Sequence, residues 1–165
     1  MKKLIVFFSY SGNTRKLVNE LNKEFKYDVK EIERKVPYSS VYEECAYKEA
    51  KEEVEKNIHP EIKPLNFDMN QYDEILLFFP IWWYTFPMPI GTFIDSIKGY
   101  KGKVTLFMNS YTNDPQYAKN SLNDFKKVDS SINVEVGLFN KSLREHINFL
   151  KKGEWKWIHS NFITV

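Results

Sequence analysis

Apolar residues along this chain fall into two alternating patterns. Short unbroken runs, Leu4 to Phe8, Ile75 to Phe79 and Val104 to Met108, read as strands, and the middle one, apolar on both faces, reads as central in a parallel sheet. Between them, apolar positions recur three and four apart, as on one face of a helix: Leu17, Val18, Leu21 and Phe25, then Ile90, Phe93, Ile94 and Ile97, then Leu143, Ile147 and Leu150. Val29 and Ile32 place a further strand within residues 27–33, and Ile132, Val134 and Val136 alternate with polar residues as an edge strand does. Val41, Cys45, Ala50 and Val54 predict a helix over residues 40–57, with Glu43, Glu44, Lys48, Glu49 and Lys51 on its wet face. Prolines punctuate the pattern: two of them hold residues 59–64 extended, Pro87-Met88-Pro89 opens one helix, and Asp114-Pro115 opens another. Gly153 is expected to end or interrupt the last helix.

Five strands joined by helical crossovers predict a doubly wound α/β sheet in a three-layer sandwich, one domain over residues 1–165. In the strand order 2-1-3-4-5 the loops after strands one, three and four meet where the winding direction reverses, the place such sheets bind ligands. Those loops are Ser9–Thr14, Pro80–Phe86 and Asn109–Asp114.

The first of them, Ser9-Tyr10-Ser11-Gly12-Asn13-Thr14, joins a buried strand to a helix N-terminus. Unpaired first-turn N–H groups and the helix dipole favour an anion there. Ser9, Ser11, Asn13 and Thr14 add side-chain donors, and Gly12 lets the backbone approach closely. The loop lacks the lysine of a nucleoside triphosphatase cradle, the three glycines of a dinucleotide fingerprint, a nucleophilic cysteine and an acceptor aspartate. It is built to hold a phosphate rather than transfer it, unless it is only a well-capped turn. The second loop carries Trp82, Trp83, Tyr84 and Phe86 within five positions, a ligand wall or else a core corner or oligomer interface. A phosphate cup beside an aromatic wall suits a ligand with a flat ring at one end and a phosphate at the other, and flavin mononucleotide (FMN) has that shape.

Charge and cysteine usage narrow the classes further. Twenty-four basic against 22 acidic residues, with no continuous basic stripe, argue against nucleic-acid binding. No run approaches the roughly 20 apolar residues of a membrane span. The one cysteine, Cys45, forms no internal disulfide, suits a cytoplasmic location, and shares a helical face with Val41 as a packing residue. His59, His146 and His159 show no metal-ligand spacing, so no metal is expected.

The paired loops are similar to those of the flavodoxins, specifically short flavodoxin-like proteins with a tryptophan-rich second flavin loop. The likeness rests on S-x-S-G-N-T after the first strand, P-I-W-W then P-x-P after the third, and the Tyr42…Ala50-Lys51-Glu52…Pro60-Glu61-Ile62 pattern between the second and third. It covers roughly residues 3–136 and implies a flavodoxin-like fold with non-covalent FMN. By that likeness Ser9, Tyr10, Ser11, Gly12, Asn13 and Thr14 hold the phosphate. Pro80, Ile81, Trp82, Trp83 and Tyr84 line the ring, joined by Asn109, Ser110 and Tyr111. The chain departs from its relatives in three places: Tyr84 stands where they usually have glycine, the third loop contains no glycine, and the C-terminal end carries Trp155 and Trp157 beyond Gly153 with an Asn161-to-Val165 tail. If glycine there serves a positive φ, Tyr84 forces a different backbone path. Tyr84 and Tyr111 are each expected either to stack on the flavin or to fill its place.

Three function classes follow. The first is an FMN redox protein serving a redox partner protein or a small-molecule acceptor of the quinone type, with no side chain marked as catalytic. Many electron-carrier flavodoxins are strongly acidic, and a net charge of +2 removes that steering. The second is a flavodoxin-fold module that has lost flavin and keeps the phosphate site. The third is an interaction protein, a possible homodimer through Trp82–Phe86 or through the C-terminal stretch Trp155–Phe162, before the Ile163-Thr164-Val165 end.

Overall fold

The computed structural model describes residues 1–162, and the last three residues of the C-terminal tail lie outside them. The elements run β1 (Lys3–Phe7), α1 (Asn13–Phe25), β2 (Asp28–Glu31), α2 (Tyr42–Glu44), a π-helical turn (Cys45–Ala50) and α3 (Lys51–Glu55). A 3₁₀ turn at Met69–Gln71 leads into β3 (Glu74–Pro80), α4 (Met88–Ser96), β4 (Lys103–Asn109), α5 (Gln116–Val128), β5 (Asn133–Phe139) and α6 (Leu143–Phe162). All five strands are parallel in the order β2-β1-β3-β4-β5, as the crossover pattern predicts.

Side-chain alternation splits the core into two layers. Leu4, Val6, Leu77, Phe79, Leu106 and Met108 pack against Ile90, Phe93, Ile94 and Phe125 of α4 and α5. Ile5, Phe7, Leu76, Phe78 and Phe107 face the opposite way onto Val18 and Leu21 of α1 and Leu150 of α6. The central strands are apolar on both faces because helices cover both faces. One irregularity sits between β4 and β5, where Leu106 pairs with Val136 and Phe107 with Leu138, leaving Gly137 as a bulge. A Cβ at Gly137 would stand 2.7 Å from Cγ2 of Thr105 and 2.9 Å from the Phe107 ring, so only glycine passes there.

The structure corrects three expectations. The helix over residues 40–57 is not continuous α-helix. Cys45 and Ala50 are both buried five residues apart, and an i→i+5 turn keeps them on one side where α-helical winding would separate them. Val41 does not share that buried face; it is half exposed. Gly153 neither ends nor interrupts the last helix, because α6 runs through it. A mid-helix glycine costs only about 1 kcal/mol, and the hydrogen bond from the Tyr27 hydroxyl to Glu154 anchors the helix immediately beyond it. Farther along, Trp155 is exposed, and no helix among the described residues is long and apolar enough to cross a membrane.

Candidate functional site

The C-terminal ends of β1, β3 and β4 each release a loop, and the three loops line one cavity of about 240 Å³. Its first-loop end is shaped by Ser9, whose hydroxyl oxygen accepts the N–H groups of Gly12 at 3.2 Å and Arg15 at 3.3 Å. Those two bonds use the oxygen as acceptor and leave its proton free to point into the cavity. Gly12 takes φ 93°, ψ −6° as the residue before α1, a left-handed conformation that suits glycine. Asn13 and Thr14 open the helix, so their N–H groups have no carbonyl a turn behind them. Thr14 is buried beneath the loop, whereas Ser11 and Asn13 face solvent. Arg15 does not enter the cup; its guanidinium pairs with Glu31 at the end of β2. The donors aimed at an anion are therefore neutral groups and the helix end.

The aromatic loop divides its rings between core and cavity. Phe86 is buried and meets Phe79 edge-on at 6.1 Å, so this ring is a core corner. Trp82 is half buried, edge-on to Phe8 at 5.3 Å, Tyr10 at 5.6 Å and Tyr38 at 5.3 Å. Tyr10 is held in turn by a 2.7 Å hydrogen bond from its hydroxyl to the Ser39 carbonyl. Behind Trp82, Tyr38 donates to the buried carboxylate of Glu53, and the Arg34 guanidinium lies 4.5 Å from the Tyr38 ring and 3.0 Å from Glu53. Burial raises the Glu53 carboxyl despite these partners. Trp83 turns to the π-helical turn: its indole N–H donates to the Ala46 carbonyl at 2.7 Å, and its ring meets Tyr47 at 5.7 Å.

Residues 82–85 close a tight turn, with Trp82 N–H bonded to Thr85 O at 2.8 Å and the reverse bond at 3.2 Å. Its two central residues have positive φ, 49° at Trp83 and 71° at Tyr84. The chain thus keeps a glycine-type path at Tyr84 instead of taking a different one, and carries strain on a bulky residue. Tyr84→Gly is expected to be more stable than Tyr84→Ala by about 1 kcal/mol, the left-handed penalty of a Cβ. Urea unfolding of the two variants measures this, and equal midpoints would remove the strain.

The third loop is clamped from a position the sequence did not mark. Asn140, after β5 and at φ 52°, accepts the Ser110 N–H at 2.6 Å and donates to the Thr112 carbonyl at 3.2 Å. Asn109 accepts the Ile81 N–H at 2.9 Å, so the second and third loops are tied directly. Tyr111 is 96% exposed and Tyr84 61% exposed, so neither tyrosine fills the cavity. Tyr111 stands free at its rim. Of the residues the sequence singles out, Ser9, Tyr10, Ser11, Asn13, Thr14, Pro80, Ile81, Trp82, Asn109, Ser110 and Tyr111 line this cavity. Gly12 shapes the first-loop end of that cavity without lining it, and Trp83 and Tyr84 line a neighbouring cavity of about 420 Å³. Tyr42, Cys45, Ala46 and Tyr47, to which the sequence assigns no ligand contact, border that second space. Burial pushes the Cys45 thiol up to about 11, so it stays protonated as a wall group. Among the described residues no cluster of histidine, cysteine and carboxylate groups could hold a metal ion.

The donor set fits a phosphate and the half-buried rings fit a flat ring system. Comparison with solved structures agrees. The chain is 28% identical to a Lactobacillus acidophilus flavoprotein solved in complex with FMN, with 90% of this chain and 97% of that one covered at a TM-score of 0.75. The NMR structure of the apo-form of the flavoprotein from the same organism is 29% identical, covering 87% and 95% at 0.65. A protein from Bacteroides eggerthii is 25% identical, covering 89% and 93% at 0.77. No match is found among curated proteins. A family model described as flavodoxin matches residues 2–155, nearly the whole of the described chain, and the chain belongs to the flavodoxin family.

Proposed function

We propose that this protein binds FMN in the cavity between its first, second and third loops and works as a single-domain redox protein. The observation that carries this reading is the joining of a helix N-terminus rich in free donors and an aromatic wall within one cavity. The likeness to an FMN-bound relative supports it. Ser9, Ser11, Asn13 and Thr14, with the first-turn N–H groups of α1, hold the phosphate. Pro80, Ile81 and Trp82 on one side, and Asn109, Ser110 and Tyr111 on the other, orient the ring and keep water from it. Bound there, FMN supplies reversible electron transfer at its ring, and the protein tunes it through these contacts.

A small-molecule acceptor suits the charge balance better than an acidic-carrier role, since 24 basic and 22 acidic residues give no strong field to steer a basic partner. The exposure of Tyr84 and Tyr111 counts against a module that has lost flavin, because the rings invoked to replace it stand outside. Visible absorption after adding FMN and removing the excess tests the reading. A retained yellow band, near one flavin per chain, is expected. A colourless protein would overturn it.

A further inference from the structure

The C-terminal part of α6 outruns the layer it packs on. Leu150 is the last buried residue of the helix among the described side chains, and the Tyr27 hydroxyl still holds Glu154. Past that tie, residues 155–160 are all exposed, Trp155 by 61%, Trp157 by 41% and Ile158 by 44%. We infer that this segment, with Lys151, Lys152 and Lys156, docks on an anionic membrane surface, lying in the headgroup layer without crossing the bilayer. The inference does not draw on the FMN reading.

Charge selects the partner. Residues 151–162 carry three lysines and one carboxylate, so the whole of the chain's net charge of +2 sits on this segment and the rest balances. Lys151 pairs with Glu24 at 3.5 Å, whereas Lys152 and Lys156 make no ion pair among the described residues. Two copies of the chain joined symmetrically through this segment would set like charges against each other. An anionic lipid surface does the opposite, and each lysine near it strengthens binding about fivefold.

The apolar side chains fit the same partner. Trp155 and Ile158, three apart, share one strip of the helix, and Lys152 and Lys156, four apart, form the strip beside it. The ring contact of Trp155 is with His159 of the same helix, at 3.9 Å, so no ring of another element covers it. An indole, apolar with one N–H donor, settles between headgroups and acyl chains, and lysine stems reach back from there to the phosphates. A nucleic acid shares the negative charge and can stack on Trp155, but it gains little from Ile158. Tyr27 and the closeness of Gly153 to Lys3, which opens β1, put the segment at the N-terminal edge of the sheet. The three loops are at the other edge, so the docked protein keeps its cavity open to water. Most of the segment lies past residue 155, where the likeness to the family stops, and belongs to this chain in particular.

The test is co-sedimentation of the full chain with vesicles of equal parts phosphatidylcholine and phosphatidylglycerol, and with vesicles of phosphatidylcholine alone. Saturable binding to the mixed vesicles is expected, about tenfold or more tighter than to the neutral ones, and weakening as salt rises. Lys152→Glu combined with Lys156→Glu should lose about tenfold or more of that affinity. Trp155→Ser combined with Ile158→Ser should also bind more weakly while keeping the salt dependence. All four positions are exposed, so Tm and FMN affinity should stay as they are, which separates lost docking from lost folding. No binding to the mixed vesicles, or binding that either double variant leaves unchanged, would overturn the inference. So would a Trp155-dependent dimer in light scattering without vesicle binding, or tighter binding to a single-stranded DNA oligonucleotide than to the vesicles.

Discussion

Ser11→Asp is expected to weaken FMN binding by about thirty- to a thousandfold without unfolding the protein. Ser11 sits on the exposed tip of the first loop, so a carboxylate there is solvated and costs the fold little. A phosphate brought into the cup would then face a fixed negative charge a few ångströms away. Two unit charges about 4 Å apart repel by about 1 kcal/mol in bulk water and about 4 kcal/mol near a protein surface. A penalty of about 2–4 kcal/mol, the intermediate range, is the stated loss in affinity. The nearest arginine offers no relief, since Arg15 is engaged with Glu31. Two controls separate charge from lost contacts. Ser11→Asn has the same shape without the charge and should lose less than tenfold. Riboflavin lacks the phosphate, and its affinity should be the same in Ser11→Asp and in the unmodified protein. Titration by flavin fluorescence reads all three. An Asp variant that binds FMN as well as the Asn variant would move the phosphate elsewhere.

Much of this cup was legible because each local signal agreed with its neighbours. An apolar run, a hydroxyl-rich turn and a 3.6-residue period can hardly be anything but strand, loop and helix, and β1, α1 and the loop between them follow. The second loop was legible only as a cluster of rings. Which ring goes where depends on partners distant in sequence: Phe86 drops beneath Phe79, Trp82 leans on Tyr38, and Trp83 finds the Ala46 carbonyl. The π-helical turn that supplies that carbonyl leaves almost no local trace, apart from two buried small residues five apart. Tyr84 at positive φ reverses a propensity outright, and Tyr42 and Tyr47 look like surface residues because they are exposed. Asn140 carried a faint signal, as an asparagine after a strand suits left-handed backbone. Its grip on Ser110 and Thr112 is a tertiary fact that no local pattern encodes.

The opposite end of the sheet is where a single change should cost the most stability. Glu74→Leu is expected to destabilise the protein by about 3–5 kcal/mol, the cost of leaving a buried charge without its partner. Lys3, Glu74 and Lys103 open β1, β3 and β4 in register, so their side chains stand in a row at the N-terminal edge. Lys3 and Glu74 are 7% and 6% exposed, with Nζ 3.4 Å from Oε2. The other carboxylate oxygen takes the Thr105 hydroxyl at 2.6 Å and lies 3.6 Å from Lys103, which also pairs with Glu135 at 2.9 Å. Lys103 can turn to water or to Glu135 when Glu74 is lost; Lys3 has neither escape. At about 2–4 °C per kcal/mol for a chain of this size, Tm should fall by about 6–20 °C. Lys3→Met combined with Glu74→Leu should recover at least half of the loss, because an apolar pair needs no charge partner. FMN affinity should be unchanged in both variants, since the ladder lies a full strand length from the loops. A double variant as unstable as the sum of the singles would mean that packing at this edge, rather than the stranded charge of Lys3, sets the cost.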